Sequence, residues 1–175
     1  TTQLKELLGV GNVLLVNNGT SATHLVAKSL MFRRPGLKNI IVPNNVYVAA
    51  WNCFLYDRNL KLIPIDANEE TWNVDTHELS KKIGQSNPKN TAVLIVPNLG
   101  NIINVPKLKR EFPEHLFVED NCEGLFGKYE GYYSGTKSLA SSVSFYGNKT
   151  ITSGEGGAVL TADAELYEYL ERLHG

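Results

Sequence analysis

The run Ala92-Val-Leu-Ile-Val96 is apolar at every position. A strand with one solvated face alternates polar and apolar residues, so a strand with no polar residue must be covered on both faces. A parallel sheet between two helical layers provides that environment. Runs of similar apolar, β-branched character recur at residues 13–16, 40–42, 60–65, 116–118, 143–146 and 158–160, making seven candidate strands. Helical patterns stand between most of them. They cover residues 3–8, a helix from Thr20 with Ala22, Leu25, Val26 and Leu30 on one face, residues 75–83 behind the capping box Asp75-Thr-His-Glu78, residues 105–112, and a closing helix at 166–173 capped by Asp163. Residues 44–57 also read as helix, with Tyr47 and Trp51 one turn apart and directed into the core. The expected fold is α/β, a three-layer sandwich around a mostly parallel seven-stranded sheet.

Size and charge narrow the function classes. The 175 residues suffice for one domain with a sizeable core, and a net charge of -1 gives no electrostatic reason to expect nucleic acid or an anionic membrane as partner. The two cysteines, Cys53 and Cys122, have neither zinc-site spacing nor the density of a disulfide scaffold. They read as reduced thiols of a cytoplasmic protein, and no metal site is expected. No run reaches transmembrane length and no secretory signal opens the chain. The first residue is not methionine and only His174-Gly175 follow the closing helix, so the chain reads as a piece of a longer protein.

Three stretches carry chemistry. The strand at 13–16 runs into Asn17-Asn18-Gly19-Thr20-Ser21 and then a helix, a geometry that serves equally as plain capping or as an anion site on free N–H groups. It lacks the P-loop lysine, which excludes the usual triphosphate cradle. The strand at 116–118 ends in Glu119-Asp120-Asn121-Cys122-Glu123, placing carboxylates where open α/β sheets bind ligands. The strand at 143–146 leads to Lys149 in a segment punctuated by Gly147, Gly154, Gly156 and Gly157. Taken alone, Lys149 fits either a desolvated, reactive amine or a solvated lysine in a polar hairpin. His77 and the basic face of Lys107, Lys109 and Arg110 read as solvated helix surface.

An anion-binding helix start, an acid at a strand end and a loop lysine together are what pyridoxal phosphate (PLP) chemistry requires. The phosphate anchors the cofactor, the amine condenses with its aldehyde, and the acid keeps the ring nitrogen protonated so that the ring serves as electron sink.

Four motifs extend this into a resemblance. Asn18-Gly-Thr-Ser-Ala22, Val42-Pro43 with Tyr47-Val-Ala49, Val118-Glu-Asp-Asn-Cys-Glu123, and Ser144-Phe-Tyr-Gly-Asn-Lys149-Thr-Ile-Thr-Ser-Gly-Glu-Gly-Gly157 resemble the DegT/DnrJ/EryC1/StrS sugar aminotransferases, of the aspartate aminotransferase-like fold type I. The resemblance covers nearly the whole chain. It implies that residues 1–175 form a PLP-binding large domain, with a small C-terminal domain following Gly175. It makes Lys149 the catalytic lysine, Asp120 the partner of the ring nitrogen and Glu123 its neighbour at the ring hydroxyl. Gly19, Thr20, Ser21 and Ser144 become phosphate donors and Tyr47 the ring-stacking aromatic. The reaction implied moves an amine from an amino acid, usually glutamate, to a nucleotide-linked keto-deoxysugar, in homodimers with shared active sites. The Asp120-Asn-Cys-Glu123 run is also similar to the sugar 3-dehydratases of this fold, which carry histidine at the position of Lys149; lysine favours transamination. Residues 145–152 are similar to those of perosamine synthases, which aminate a GDP-linked 4-keto-6-deoxymannose. A non-catalytic homologue that keeps the fold is the remaining reading.

Overall fold

In the computed structural model, which describes residues 1–56 and 60–175, the fully apolar strand is buried along its whole length. In chain order the helices are α1 (Thr2–Leu8), α2 (Gly19–Arg33), α3 (Ala49–Asn52), α4 (Thr76–Gly84), α5 (Val105–Glu111) and α6 (Ala164–His174). The strands are β1 (Asn12–Val16), β2 (Asn39–Pro43), β3 (Lys61–Ile65), β4 (Thr91–Ile95), β5 (Leu116–Asp120), the short pair β6 (Lys128–Tyr129) and β7 (Tyr132–Tyr133), β8 (Ser141–Ser144) and β9 (Gly157–Thr161).

The main sheet has seven strands in the order β1-β9-β8-β5-β4-β2-β3. Strands β8, β5, β4, β2 and β3 run parallel, while β9 lies antiparallel to both β8 and β1. The reversal at β9 follows from its connection: residues 145–156 contain no crossover helix, and a parallel return needs one. Period-two burial then sorts side chains between two layers. Ile40, Val42, Ala92, Leu94 and Val118 pack with α2 and α6 through Val26, Leu30, Leu166 and Leu170. Their alternates Ile41, Val93, Ile95 and Phe117 pack with α4 and α5 through Leu79, Ile83, Val105 and Leu108. The result is the three-layer α/β sandwich that the apolar strand demanded.

The local caps follow the sequence in part. Asp75 Oδ1 accepts the N–H groups of His77 and Glu78, each at 2.9 Å, but the Asp75 N–H goes to Asp66 O at 2.8 Å, so only half of the expected capping box forms; Asp163 Oδ1 accepts the N–H of Leu166 at 3.0 Å. Among the described residues no helix is long and apolar enough to cross a membrane.

Two further readings change. The helix expected over residues 44–57 shrinks to α3, with the last expected position, Asp57, outside the described residues. Asn44 N–H donates instead to Ile65 O at 2.9 Å, and Asn45 Nδ2 donates to Trp72 O at 2.7 Å, so this stretch is drawn out beside the loop after β3. Trp51 packs against the core and donates from Nε1 to Pro43 O at 2.9 Å, but Tyr47 is 76% exposed, so the expected buried pair does not form. The strand expected at 143–146 begins earlier, at two serines. Ser141 Oγ donates to Gly135 O at 2.7 Å and Ser142 Oγ meets Thr23 Oγ1 at 2.9 Å, which satisfies hydroxyls that would otherwise be costly to bury. The β6–β7 hairpin was not anticipated; its turn takes positive φ at Glu130 and Gly131, as a tight two-residue hairpin loop requires.

Candidate active site

The carboxyl ends of β1, β2, β4, β5 and β8 open on one cavity of about 450 Å³. This is the edge where α/β sheets present loops and helix starts to ligands.

One wall is the start of α2. Asn18 Oδ1 accepts the Ser21 N–H at 2.8 Å and so caps the helix. The N–H groups of Gly19 and Thr20 precede the first intrahelical donor, Ala22, whose N–H goes to Asn18 O at 3.2 Å, and both residues line the cavity at the positive end of the helix dipole. A Cβ on Gly19 would stand 2.8 Å from Ser144 Cβ and 3.2 Å from Cys122 Sγ. Only glycine lets the helix start approach the end of β8 this closely. Gly157 does the same from β9, where a Cβ would lie 2.5 Å from Asn18 O. The small residues in these motifs therefore bring Ser144 beside the helix N-terminus.

The floor is Asp120. Two-residue alternation puts it on the α2 side of β5, next to Val118 in register, while Glu119 faces the other layer. Asp120 is 7% exposed, and its Oδ1 accepts the Cys122 N–H at 3.2 Å and the Ser142 hydroxyl at 3.4 Å. Burial pushes its carboxyl above the ordinary carboxylate range, and the Cys122 and Ser142 donors and the Lys149 charge offset only part of that.

Opposite lies Lys149. Its N–H donates to Tyr146 O at 3.0 Å, a turn that brings the side chain back into the cavity, where it is 21% exposed. Nζ sits 3.7 Å from Glu123 Oε1, and Glu123 Oε2 accepts the Leu99 N–H at 2.8 Å. The solvated-hairpin reading of this lysine does not fit that placement. Tyr47 stands at the mouth, with most of its ring open to solvent.

Gly19, Thr20, Tyr47, Asp120, Glu123, Ser144 and Lys149 thus line a single cavity, although they come from four separate stretches of the chain. Ser21 is not among the residues that line it, and its N–H caps the helix through Asn18 Oδ1. Sequence reasoning did not pick out Thr23, Asn98, Cys122 or Glu155, which also line it, nor Ser142 behind Asp120. Thr23 had a signal: it lies one helical turn after Gly19, and its Oγ1 is 3.1 Å from Gly19 O and 2.9 Å from Ser142 Oγ. Asn98 follows an apolar strand with nothing nearby to mark it.

The profile of the DegT/DnrJ/EryC1/StrS aminotransferase family matches residues 1–175. The chain belongs to that family. A GDP-perosamine synthase from Escherichia coli O157:H7 is 36% identical over 155 residues, a match that covers 87% of this chain and 41% of that protein. Among solved structures, the E. coli GDP-4-keto-6-deoxy-D-mannose-3-dehydratase with bound hydrated PLP superposes with a TM-score of 0.87 at 27% identity, covering 97% of this chain and 44% of that one. The Helicobacter pylori aminotransferase PseC, involved in pseudoaminic acid biosynthesis, superposes with a TM-score of 0.83 at 30% identity, covering 97% and 45%. The chain spans less than half the length of the curated relatives it matches. Within this DegT/DnrJ/EryC1/StrS framework the family resemblance carried by the four motifs holds over the whole chain.

Proposed function

We propose that this chain is the PLP-binding large domain of a cytoplasmic, homodimeric aminotransferase. The enzyme passes an amine from an amino acid, glutamate on this reading, to a nucleotide-linked keto-deoxysugar for aminosugar and polysaccharide assembly. The observation that carries the reading is the convergence of Lys149, Asp120 and the α2 start on one cavity. The residues present fit the cofactor. The close approach that Gly19 permits puts the helix N–H groups and the Ser144 hydroxyl together on one wall of the cavity, where an anion can meet both. The buried Asp120 carboxyl, raised by burial, would be favoured in its charged form by a protonated ring nitrogen.

On this reading Gly19, Thr20 and Ser144 bind the phosphate, while Ser21 contributes through the cap rather than by contact. Asp120, held by Cys122 and Ser142, orients the ring and keeps its nitrogen protonated. Tyr47 covers a ring face and keeps water from it. Glu123 sits at the ring hydroxyl and steadies Lys149, whose Nζ is the linking amine and the group that moves a proton between carbon centres. Bound there, PLP supplies the electron sink that stabilises negative charge beside the transferred nitrogen. A second copy closing over the exposed Tyr47 and Leu99 accounts for apolar side chains left open at the mouth.

The Asn121-Cys122 run and the dehydratase neighbour favour a second reading, elimination from a nucleotide sugar on the same site. Lys149 weighs against it. One experiment separates these readings from a non-catalytic homologue: full-length protein is given PLP, glutamate and a GDP-linked 4-keto-6-deoxyhexose, and the sugar product is analysed. An aminated sugar with glutamate consumed supports the transferase. A deoxygenated sugar supports the dehydratase, and no turnover supports the non-catalytic homologue.

A further inference from the structure

One asparagine outside the cavity grips both ends of a turn that reaches into it. Asn73, in the loop between β3 and α4, is 6% exposed. Its Oδ1 accepts the Asn98 N–H at 3.0 Å, and its Nδ2 donates to Asn101 O at 2.7 Å. The turn returns the grip. Asn98 Nδ2 donates to Asn45 O at 3.1 Å and Trp72 O at 3.0 Å, and Asn101 Nδ2 donates to Thr71 O at 3.1 Å.

Between the gripped ends, Leu99 has φ 54° and ψ 24°, the left-handed region that a branched side chain avoids. Its side chain is 76% exposed, so apolar packing does not impose that conformation. The hydrogen bonds at either end do. The consequence is the direction of one donor: Leu99 N–H points at Glu123 Oε2, 2.8 Å away, which leaves Oε1 turned to Lys149 Nζ at 3.7 Å. Gly100 closes the contact, since a Cβ there would be 3.3 Å from Glu123 O.

We propose that Asn73 is a positioning residue for the Glu123–Lys149 pair, setting the 98–101 turn so that Leu99 N–H fixes which carboxylate oxygen faces the lysine. Asn73 acts through the turn and touches none of the cavity's contents. The spectroscopic part of its test rests on the proposed PLP reading; a second part does not.

The titratable groups around Glu123 in the cavity are Lys149, Asp120, Glu155, Cys122, Tyr47 and Tyr146. A carboxylate aimed at the lysine nitrogen favours its protonated form, so losing that aim lowers the pH midpoint of the visible absorbance of bound PLP. In full-length protein, Asn73→Ala is expected to lower the midpoint by about half a pH unit, roughly a threefold change in proton affinity, and Glu123→Gln by more. The double variant should match Glu123→Gln alone, because both act on one interaction. A wild-type midpoint in Asn73→Ala while Glu123→Gln shifts, or shifts that simply add, overturns the proposal. Should Asn73→Ala fail to fold, Asn73→Asp keeps the acceptor for Asn98 N–H but sets an oxygen against Asn101 O; an unmoved midpoint there overturns it equally. In PLP-free protein, exchange of the Leu99 amide hydrogen should quicken severalfold in Asn73→Ala, and unchanged exchange refutes the clamp. Absence of any visible band in the wild type counts against the cofactor reading, and the exchange result then decides the clamp by itself.

Discussion

Glu119 and Asp120 are neighbours on β5 whose carboxyl groups face opposite layers of the molecule. Asp120 turns to the cavity with its Oδ1 on Ser142, while Glu119 Oε2 takes the Gly135 N–H at 3.0 Å and the Ser134 hydroxyl at 3.4 Å behind the β6–β7 hairpin. Glu119 Oε1 has no hydrogen-bond partner among the described residues. Burial pushes both carboxyls above the ordinary range. Their chemistry is similar, but only Asp120 can meet a ligand in the cavity.

Asp120→Asn tests the cost of keeping that acid. Because its folded pKa is raised, Asp120 favours the fold when protonated, and that contribution is lost as pH rises from near 3.8 through the folded value. Above its unfolded pKa, burial of this carboxyl therefore costs the PLP-free protein stability. The amide removes that cost and keeps the acceptor for Cys122 and Ser142. PLP-free Asp120→Asn should therefore melt higher than wild type at pH 7.5 and no higher at pH 3. PLP affinity should fall by about 10- to 100-fold, the worth of a hydrogen bond to a charged group. Melting curves at the two pH values and an absorbance titration check both halves.

Glu119→Gln separates the neighbours. The sign of its pH dependence is the same, so the variant should hold or gain stability at neutral pH. Its PLP affinity should stay within about twofold of wild type, since nothing about the cavity changes. A large loss of affinity would move Glu119 into the site.

Gly19→Ala probes the cradle. The added methyl meets Ser144 Cβ at 2.8 Å and Ser144 Oγ at 3.0 Å, so α2 or β8 must shift. A cost of about 1–3 kcal/mol in stability is expected, with PLP affinity falling by more than the lost stability explains. Adding Ser144→Gly should recover the melting temperature without the affinity, because the room returns but the hydroxyl does not. Denaturant unfolding and cofactor titration together read the two effects.

The layers were legible in the sequence because apolar strands and amphipathic helices report burial directly, as residues 92–96 did for β4. Lys149, Asp120 and Gly19 were ambiguous one by one, as a loop lysine, a strand-end acid and a glycine turn; their combination and the four motifs singled them out, and the fold brings them to one cavity. Asn73 and Asn98 were not legible, since an asparagine in a loop looks the same whether it is solvated or clamps a turn between β4 and β5. Tyr47 was placed in the core because an aromatic pair one turn apart presumes a helix; the pull of Asn44 and Asn45 toward residues 65 and 72 is long-range and leaves no local trace. The serines of β8 were passed over as strand because their partners, Thr23 and Gly135, are distant in sequence.

Asp163→Asn isolates one charge at the α2–α6 junction. Burial raises the Asp163 carboxyl, but the hydrogen bonds of Arg33 and the Leu166 N–H, together with the Arg33 charge, outweigh it and leave the group below its ordinary value. A depressed acid contributes stability above its unfolded pKa and loses that contribution as pH falls through the folded value. Asparagine still caps α6, so the variant should lose less than about 1 kcal/mol at pH 7, in keeping with a partly exposed pair. Its stability should also fall less steeply below pH 4 than that of wild type. Equal acid slopes in the two proteins would remove Arg33–Asp163 from the acid response.

The two thiols should resist alkylation in the native state for different reasons. Cys53 is 1% exposed, donates to Thr20 O, and burial, with Asp120 adding to it, pushes its pKa up to about 12. The thiolate fraction at pH 7.5 then drops by about three powers of ten against a free cysteine, and the sulfur is also out of reach. Cys122 lines the cavity and can be reached, but burial and the adjacent Asp120 carboxylate push its thiol well up as well. Iodoacetamide at pH 7.5 should therefore label neither thiol readily, with Cys122 the faster of the two. Asp120→Asn removes a negative charge beside Cys122 and should speed labelling there more than at Cys53. Added PLP should slow Cys122 in wild type while leaving Cys53 unchanged, since only Cys122 faces the cavity proposed for the cofactor. Mass spectrometry of the two cysteine peptides over time reads all three comparisons, and protection of Cys53 alone would place the cofactor somewhere other than against Asp120.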